Sequence, residues 1–257
     1  MKYVRGLLVV LLLGSMAWSS EGPFFESARL SGQYLQMLQG RQTVQSASGP
    51  GFGAAFTIPL GQRLGLELGL GYYTVGIWQD DALQQWGWSY YDSVYVKRVA
   101  NDEEVYDVVQ LSKQQMTIIP FSTRLNYWWY QKAPLRLGVE GGIGLHSYTR
   151  NFWLDETWGK EYNATTGEHY YEFSFNHYAP PKKGYVFLLS MGMDAELHLR
   201  GKLSMNIEAR YSHLADIEGY FSEQLVNRLL GSDYPSYQHN YPFYGMFEIS
   251  CGIIFGY

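Results

Sequence analysis

The segment EARYSHLAD, residues 208–216, places a base, a hydroxyl and two carboxylates close together. Ester hydrolysis by this kind of set needs a hydroxyl that a neighbouring base can activate. His213 would be the base and Ser212 the hydroxyl beside it. If the segment is a strand, successive side chains point to opposite faces, so Ser212 turns away from His213. Ala215 and Asp216 follow without supplying a hydroxyl. His146, His169, His177, His198 and His239 are scattered, lack close metal-ligand spacing, and read as polar surface in loops. A Gly-rich phosphate loop and a dinucleotide fingerprint are both missing, so no cofactor and no metal are expected. The single Cys251 excludes an internal disulfide framework and a Cys-based zinc cage. A net charge of −5 without a basic run argues against nucleic acid as a partner.

The second set of reactive types is a row of charges. Glu67, Arg124, Arg136, Glu140, Asp194, Glu196, Glu208 and Arg210 all fall on one parity of segments that alternate with period two. In RLGLELGLGYYTVG, Leu64, Leu66, Leu68, Leu70 and Tyr72 oppose Gly65, Glu67, Gly69, Gly71 and Tyr73. TIIPFSTRLNYWWY, LRLGVEGGIGLHSY, YVFLLSMGMDAELHL and KLSMNIEARYS repeat the pattern, each with an apolar row against a row of glycines and charges. GFGAAFTIPL, a weaker ARLSGQYLQML and the terminal SCGIIFGY complete a count of eight strands.

The connections alternate in length. Turns near Gly61, at 131–134 and at 200–201 are very short, whereas joins near 77–107, 151–183 and 218–241 run to roughly 25 to 35 residues, with a shorter outer loop at 41–51. This alternation implies an all-β fold: an eight-stranded antiparallel up-and-down transmembrane β-barrel with short periplasmic turns and long extracellular loops. Residues 1–19 carry Lys2 and Arg5, an apolar core and small residues, and are expected to be a signal peptide cleaved near Ala17 or Ser19. Residues 20–257 would then form one outer-membrane β-barrel domain.

The faces decide between lipid outside and ligand inside. An eight-stranded barrel has an interior just wide enough for side chains to fill it. Glycines with charges of both signs suit that crowded space, while solvent-facing rows would carry long Lys and Glu chains. Buried charges must pair, so the acidic excess is expected to meet Arg124, Arg136 and Arg210, giving a plugged barrel rather than a pore. The second and third outer loops hold Trp78, Trp86, Trp88, Trp153 and Trp158 among acidic residues. Such aromatics could bind an extracellular protein or glycan; alternatively they belong to hairpins and girdles that continue the strands. SEQLVNRLL, beginning at Ser222, reads as a short helix across the barrel mouth. The NAT sequon at Asn163 carries no weight in a bacterial envelope.

Ser250, Gly252, Phe255 and Tyr257 resemble the terminal polar-x-Gly-x-x-aromatic-x-aromatic signature of outer-membrane barrels. That resemblance implies recognition by the barrel insertion machinery. GFGAAFTIPL, RLGLELGLGYY, MTIIPFSTRLNYWW and PLRLGVEGGIGL together resemble the PorT-type family of outer-membrane β-barrel domains, which implies the fold and no single activity. EARYSHLAD also resembles the end of a strand in lipid A deacylase barrels. Ala215 stands where their nucleophilic serine belongs and Asp216 where their Asn belongs, so His213 reads as a rim residue near lipid head groups. The expectation is a non-enzymatic protein of the cell outer membrane, in contact with outer-membrane lipid, with a structural or surface-interaction role. A lipid-modifying barrel enzyme and a soluble barrel holding an apolar ligand are the alternatives.

Overall fold

The computed structural model describes residues 18–19, 22–23, 25–40, 44–80, 82–88, 105–163, 165, 168–215 and 243–256. A two-residue ladder, β1 (Trp18–Ser19) with β2 (Gly22–Pro23), precedes the main sheet. The main strands are β3 (Ser27–Gly40), β4 (Val44–Pro59), β5 (Leu64–Gln79), β6 (Val105–Lys132), β7 (Leu135–Asn163), β8 (Glu168–Tyr178), β9 (Lys182–Arg200), β10 (Leu203–Ala215) and β11 (Phe243–Gly256). One short helix, α1 (Ala82–Trp86), follows β5.

These strands form one antiparallel sheet in the order β6-β5-β4-β3-β11-β10-β9-β7-β8, and β6 also pairs with β7. The sheet therefore closes into an eight-stranded barrel, with β8 attached to β7 outside the ring. The closing seam runs from Phe243 opposite Gly40 to Gly256 opposite Ser27. Closure removes the free edges that an open sheet would expose. It also explains why the last strand is as regular as the central ones: each of its two edges meets a neighbour.

At one end the connections are tight. Leu60 and Gly61 donate backbone hydrogen bonds to the Leu64 carbonyl at 2.9 and 3.1 Å. Between β6 and β7 only residues 133–134 intervene, with a cis Ala133–Pro134 peptide. Gly201 turns at φ +62°, a conformation that glycine adopts without steric cost. The His198 amide donates to the Pro134 carbonyl at 2.7 Å and so ties two neighbouring turns together.

The other end departs from the sequence reading in two places. The first outer connection is confined to 41–43, because β4 begins at Val44 instead of after residue 51. The third is largely strand: β7 runs to Asn163 and β8 returns from Glu168, with Trp153 opposite Tyr178 and Asn163 opposite Glu168. Aromatic and polar residues alternate there too, which supports a ladder as readily as a loop. The segment at Ser222 and the terminal Tyr257 lie outside the described residues, as does most of the expected signal segment.

The outward rows are apolar and exposed. Met191 is 65% and Phe52 65% exposed, and Leu125, Ile143, Ile207 and Ile253 face the same way. An apolar ligand pocket inside the barrel is thus not what the leucine stripes build. Among the described residues no helix is long and apolar enough to cross a membrane.

Candidate functional site

The inward row of β7 serves as a ruler through the interior: Arg136, Glu140, His146, Tyr148, Arg150, then Phe152 and Leu154. Nearest the tight turns, Arg136 donates to Glu196 at 3.2 Å and its guanidinium lies 4.5 Å from the centre of the Trp128 ring. These residues, with Asp194, His198, Lys202 and Ser204, line a polar vestibule of about 260 Å³.

Above it lies a buried ion network. Arg29 binds Glu67 at 2.6 Å and Glu208 at 2.7 Å. Arg124 contacts Glu67, Glu208 at 3.0 Å and Glu140 at 3.5 Å. Arg210 binds Glu140 at 2.6 Å, contacts Glu208 and approaches Glu248 at 3.4 Å. The Tyr73 hydroxyl donates to Glu248 at 2.5 Å. Asp194, close by, accepts from Asn206 at 3.3 Å. Small residues make room for this: a Cβ on Gly142 would fall 2.6 Å from Arg124 Cγ.

Glu67, Arg124, Glu140, Asp194, Glu196, Glu208 and Arg210 are buried and Arg136 is half-buried, and the eight are not one group. Arg136 and Glu196 stand apart toward the turns, and Arg29 supplies the guanidinium that the sequence reading left out. Arg29 sits in the strand with the weakest alternation. Glu248 and Tyr73 were likewise missed as members of the network; each lies on the inward parity of its strand.

The outer half of the interior is apolar. Val75, Ile118, Tyr148, Leu188, Leu214 and Met246 pack with others into a buried core that fills the bore. His146 lies beside a water-sized cavity of about 30 Å³ between this core and the network. It is fully buried, with no hydrogen-bond partner on either ring nitrogen, which corrects its assignment to polar loop surface. The row of apolar residues on both parities in this part of the strands was the available signal.

Beyond the core, Arg150 is held by two glutamines. Its Nε donates to Gln114 Oε1 at 2.9 Å, Nη2 reaches the same oxygen, and Nη2 donates to Gln79 Oε1 at 2.7 Å. The Trp86 ring lies over this cation at 5.1 Å and also takes Lys182 Nζ at 4.8 Å. Trp86 stacks on Phe152 with centroids 5.1 Å apart and belongs to a second buried cluster with Ala82 and Leu154.

The five tryptophans do not share one surface. Trp86 is 5% exposed, a correction to its place among exposed loop aromatics: α1 folds it inward over the mouth. Trp88 packs on the same cluster and lies edge-on to His177, 6.2 Å away. His177 in turn meets Glu156 at 3.1 Å. Trp78 is 68% exposed on the outward row of β5, and Trp153 is half-buried on the outward row of β7. The Trp158 side chain lies outside the described residues. Ser212 is buried while His213 is exposed, so the two lie on opposite faces. Ser250 and Gly252 face inward and Phe255 faces outward.

No protein-family model and no curated protein matches the chain. Among solved structures it is similar to a major outer membrane protein from Thermus thermophilus, at 12% identity and a TM-score of 0.44, over 90% of this chain and 99% of that one. It is also similar to Neisserial surface protein A, at 8% identity and 0.42, over 90% and 96%. Ail of Yersinia pestis, in complex with the heparin analogue sucrose octasulfate, aligns at 8% identity and 0.43, over 90% and 99%.

Proposed function

We propose that this chain is an outer-membrane β-barrel in which the ring is a sealed anchor and the working surface is the sheet projecting from its outer end. The pairing of β5 with β6 stops at Ile77 opposite Gln114. Beyond that point β6, β7 and β8 continue as a three-stranded sheet, with β6 pairing to β7 as far as Val105 opposite Lys160. From Gln114 to Val105 this is about 30 Å measured along the strand. The observation that carries the reading is the outer edge of β8, which pairs with no strand among the described residues. A projecting sheet with a free edge can take an added strand from another protein, and its exposed Tyr178 and Phe175 offer aromatic contacts to a protein or glycan.

The bilayer placement rests on apolar rows outside and charges inside, an arrangement that only lipid satisfies without cost on both faces. The likeness to PorT-type barrels rests on the hairpin segments and brings no activity with it. The bore is read as closed because an ion network and an apolar core lie in series along it.

Membrane fractionation with gel electrophoresis of boiled and unboiled samples tests the anchor. Recovery in the outer membrane with a heat-dependent mobility shift is expected; a soluble, unshifted band overturns it. For the sheet, protease added to intact cells should cut near residue 165 and leave a membrane-protected ring. A chain cut only after the envelope is broken refutes the orientation.

A further inference from the structure

Arg150 and Lys182 are direct cross-strand partners, on β7 and β9, and both reach the Trp86 ring. Like charges set opposite one another destabilise a strand pair. Burial makes the conflict worse, since Arg150 is only 4% exposed. A buried charge calls for a counter-charge. Among the described residues none is within ion-pair distance: the bonds of Arg150 go to the neutral oxygens of Gln79 and Gln114, and Lys182 has only its aromatic contact. The carboxylates of the ion network cannot substitute. Glu140 lies ten positions before Arg150 on the same strand, about 33 Å along it, with the apolar core between.

A third group completes the set. Gln79 Oε1 accepts from both Gln114 Nε2 at 2.9 Å and Arg150 Nη2 at 2.7 Å, which fixes the orientation of its amide. Its Nε2 is then a buried donor with no acceptor. The guanidinium of Arg150, the ammonium of Lys182 and this amide are donors gathered at one place without an anion among the described residues.

We propose that Arg150, Lys182 and Gln79 form a binding site for a phosphate group at the outer mouth of the barrel, either free phosphate or the phosphate of a glycolipid head group. Two cations and a neutral donor suit a tetrahedral dianion better than a single carboxylate, because charge-assisted bonds to phosphate oxygens use all three. Trp86 holds both cations in place before the anion arrives. Only the glycolipid source rests on the outer-membrane reading; binding of free phosphate does not.

The test uses the full chain in detergent micelles, with tryptophan fluorescence read against a W86F control. The probes are inorganic phosphate, a bisphosphorylated diglucosamine glycolipid, and the same glycolipid with its phosphates removed. Saturable binding of a phosphate-bearing probe is expected, with at least a tenfold loss of affinity in R150Q and in K182E. K182E should also raise the thermal transition, since the new carboxylate would face Arg150. K182M, which only removes the charge, decides the matter if K182E does not give a heat-shifted band. Binding of inorganic phosphate supports the site with a free ligand; binding of the phosphorylated glycolipid alone supports the site with a head group. No binding of either, equal binding of the dephosphorylated lipid, or affinity unchanged in K182M overturns it.

Discussion

Replacing Arg124 with methionine tests whether the ion network carries the stability of the ring. Arg124 is 3% exposed and touches Glu67, Glu208 and Glu140. Removing one member of a buried ion pair costs about 3–5 kcal/mol, because the remaining charge stays desolvated. Here each carboxylate keeps another guanidinium: Glu67 keeps Arg29 at 2.6 Å, Glu140 keeps Arg210 at 2.6 Å and Glu208 keeps Arg29 at 2.7 Å. The lower end of the range, about 3 kcal/mol, therefore applies. Glu67→Gln acts in the opposite direction on the charge balance. Arg29, Arg124 and Arg210 meet Glu67, Glu140, Glu208 and Glu248, so the network holds one negative charge in excess, and an amide oxygen can still accept. Its cost should be about 1 kcal/mol. Urea unfolding of the barrel in lipid vesicles, followed by fluorescence and gel mobility, separates the two. With a slope of about 1–3 kcal/mol per molar, Arg124→Met should lower the midpoint by about 1–3 M and Glu67→Gln by a third of that. Equal midpoints for Arg124→Met and the parent, or a larger loss in Glu67→Gln, would mean that water screens the interior and that the pairing argument fails.

Three further outcomes are expected. Met191→Arg, midway along the outward row of β9, should destabilise the vesicle-embedded barrel by about 2–4 kcal/mol, while Leu111→Arg in the projecting sheet should cost about 1 kcal/mol or less; similar midpoints for the two would contradict a lipid belt. Gly142→Ala should cost about 1–3 kcal/mol by overpacking, since the new methyl group would lie 2.8 Å from Arg124 Cα. Gly32→Ala, with nothing within 4 Å of its Cβ, should stay within about 0.5 kcal/mol in the same unfolding assay. Planar-bilayer recordings should show no stepwise conductance for the parent chain, and discrete open levels would refute the sealed bore.

Much of the ring was legible because period two survives wherever one face meets lipid and the other meets a narrow polar bore. Leu64 to Leu70 and Leu135 to Ile143 read as strands for that reason, and their charged partners fell on the inward parity with them. The projecting sheet was harder to read. There Asp155, Glu156 and Thr157 are all polar, so hydropathy does not alternate, although they continue the ladder of β7 and Glu156 is buried between two half-buried neighbours. Legibility failed for the same reason, inverted, in the apolar core: Val75, Ile77 and Ile118 are apolar on the inward parity as well, so parity no longer distinguishes inside from outside.

The mouth was hidden by a different cause. Arg150 and Lys182 are far apart in sequence and become neighbours only when β9 pairs with β7. Trp86 reaches them from α1, a five-residue helix with no periodicity to reveal it. A cation pair on one aromatic ring is therefore a product of register. Register here is fixed from the other end of the barrel, where the turn at Gly201 and the His198–Pro134 bond set β9 against β10 and β7. A one-residue slip of β9 would turn Lys182 outward and bring Met191 and Met193 into the ion network, which the buried charges forbid. The lipid-facing rows and the ion network thus impose the alignment that holds two like charges together at the mouth. That position is unfavourable for an empty pair and suited to an occupied one.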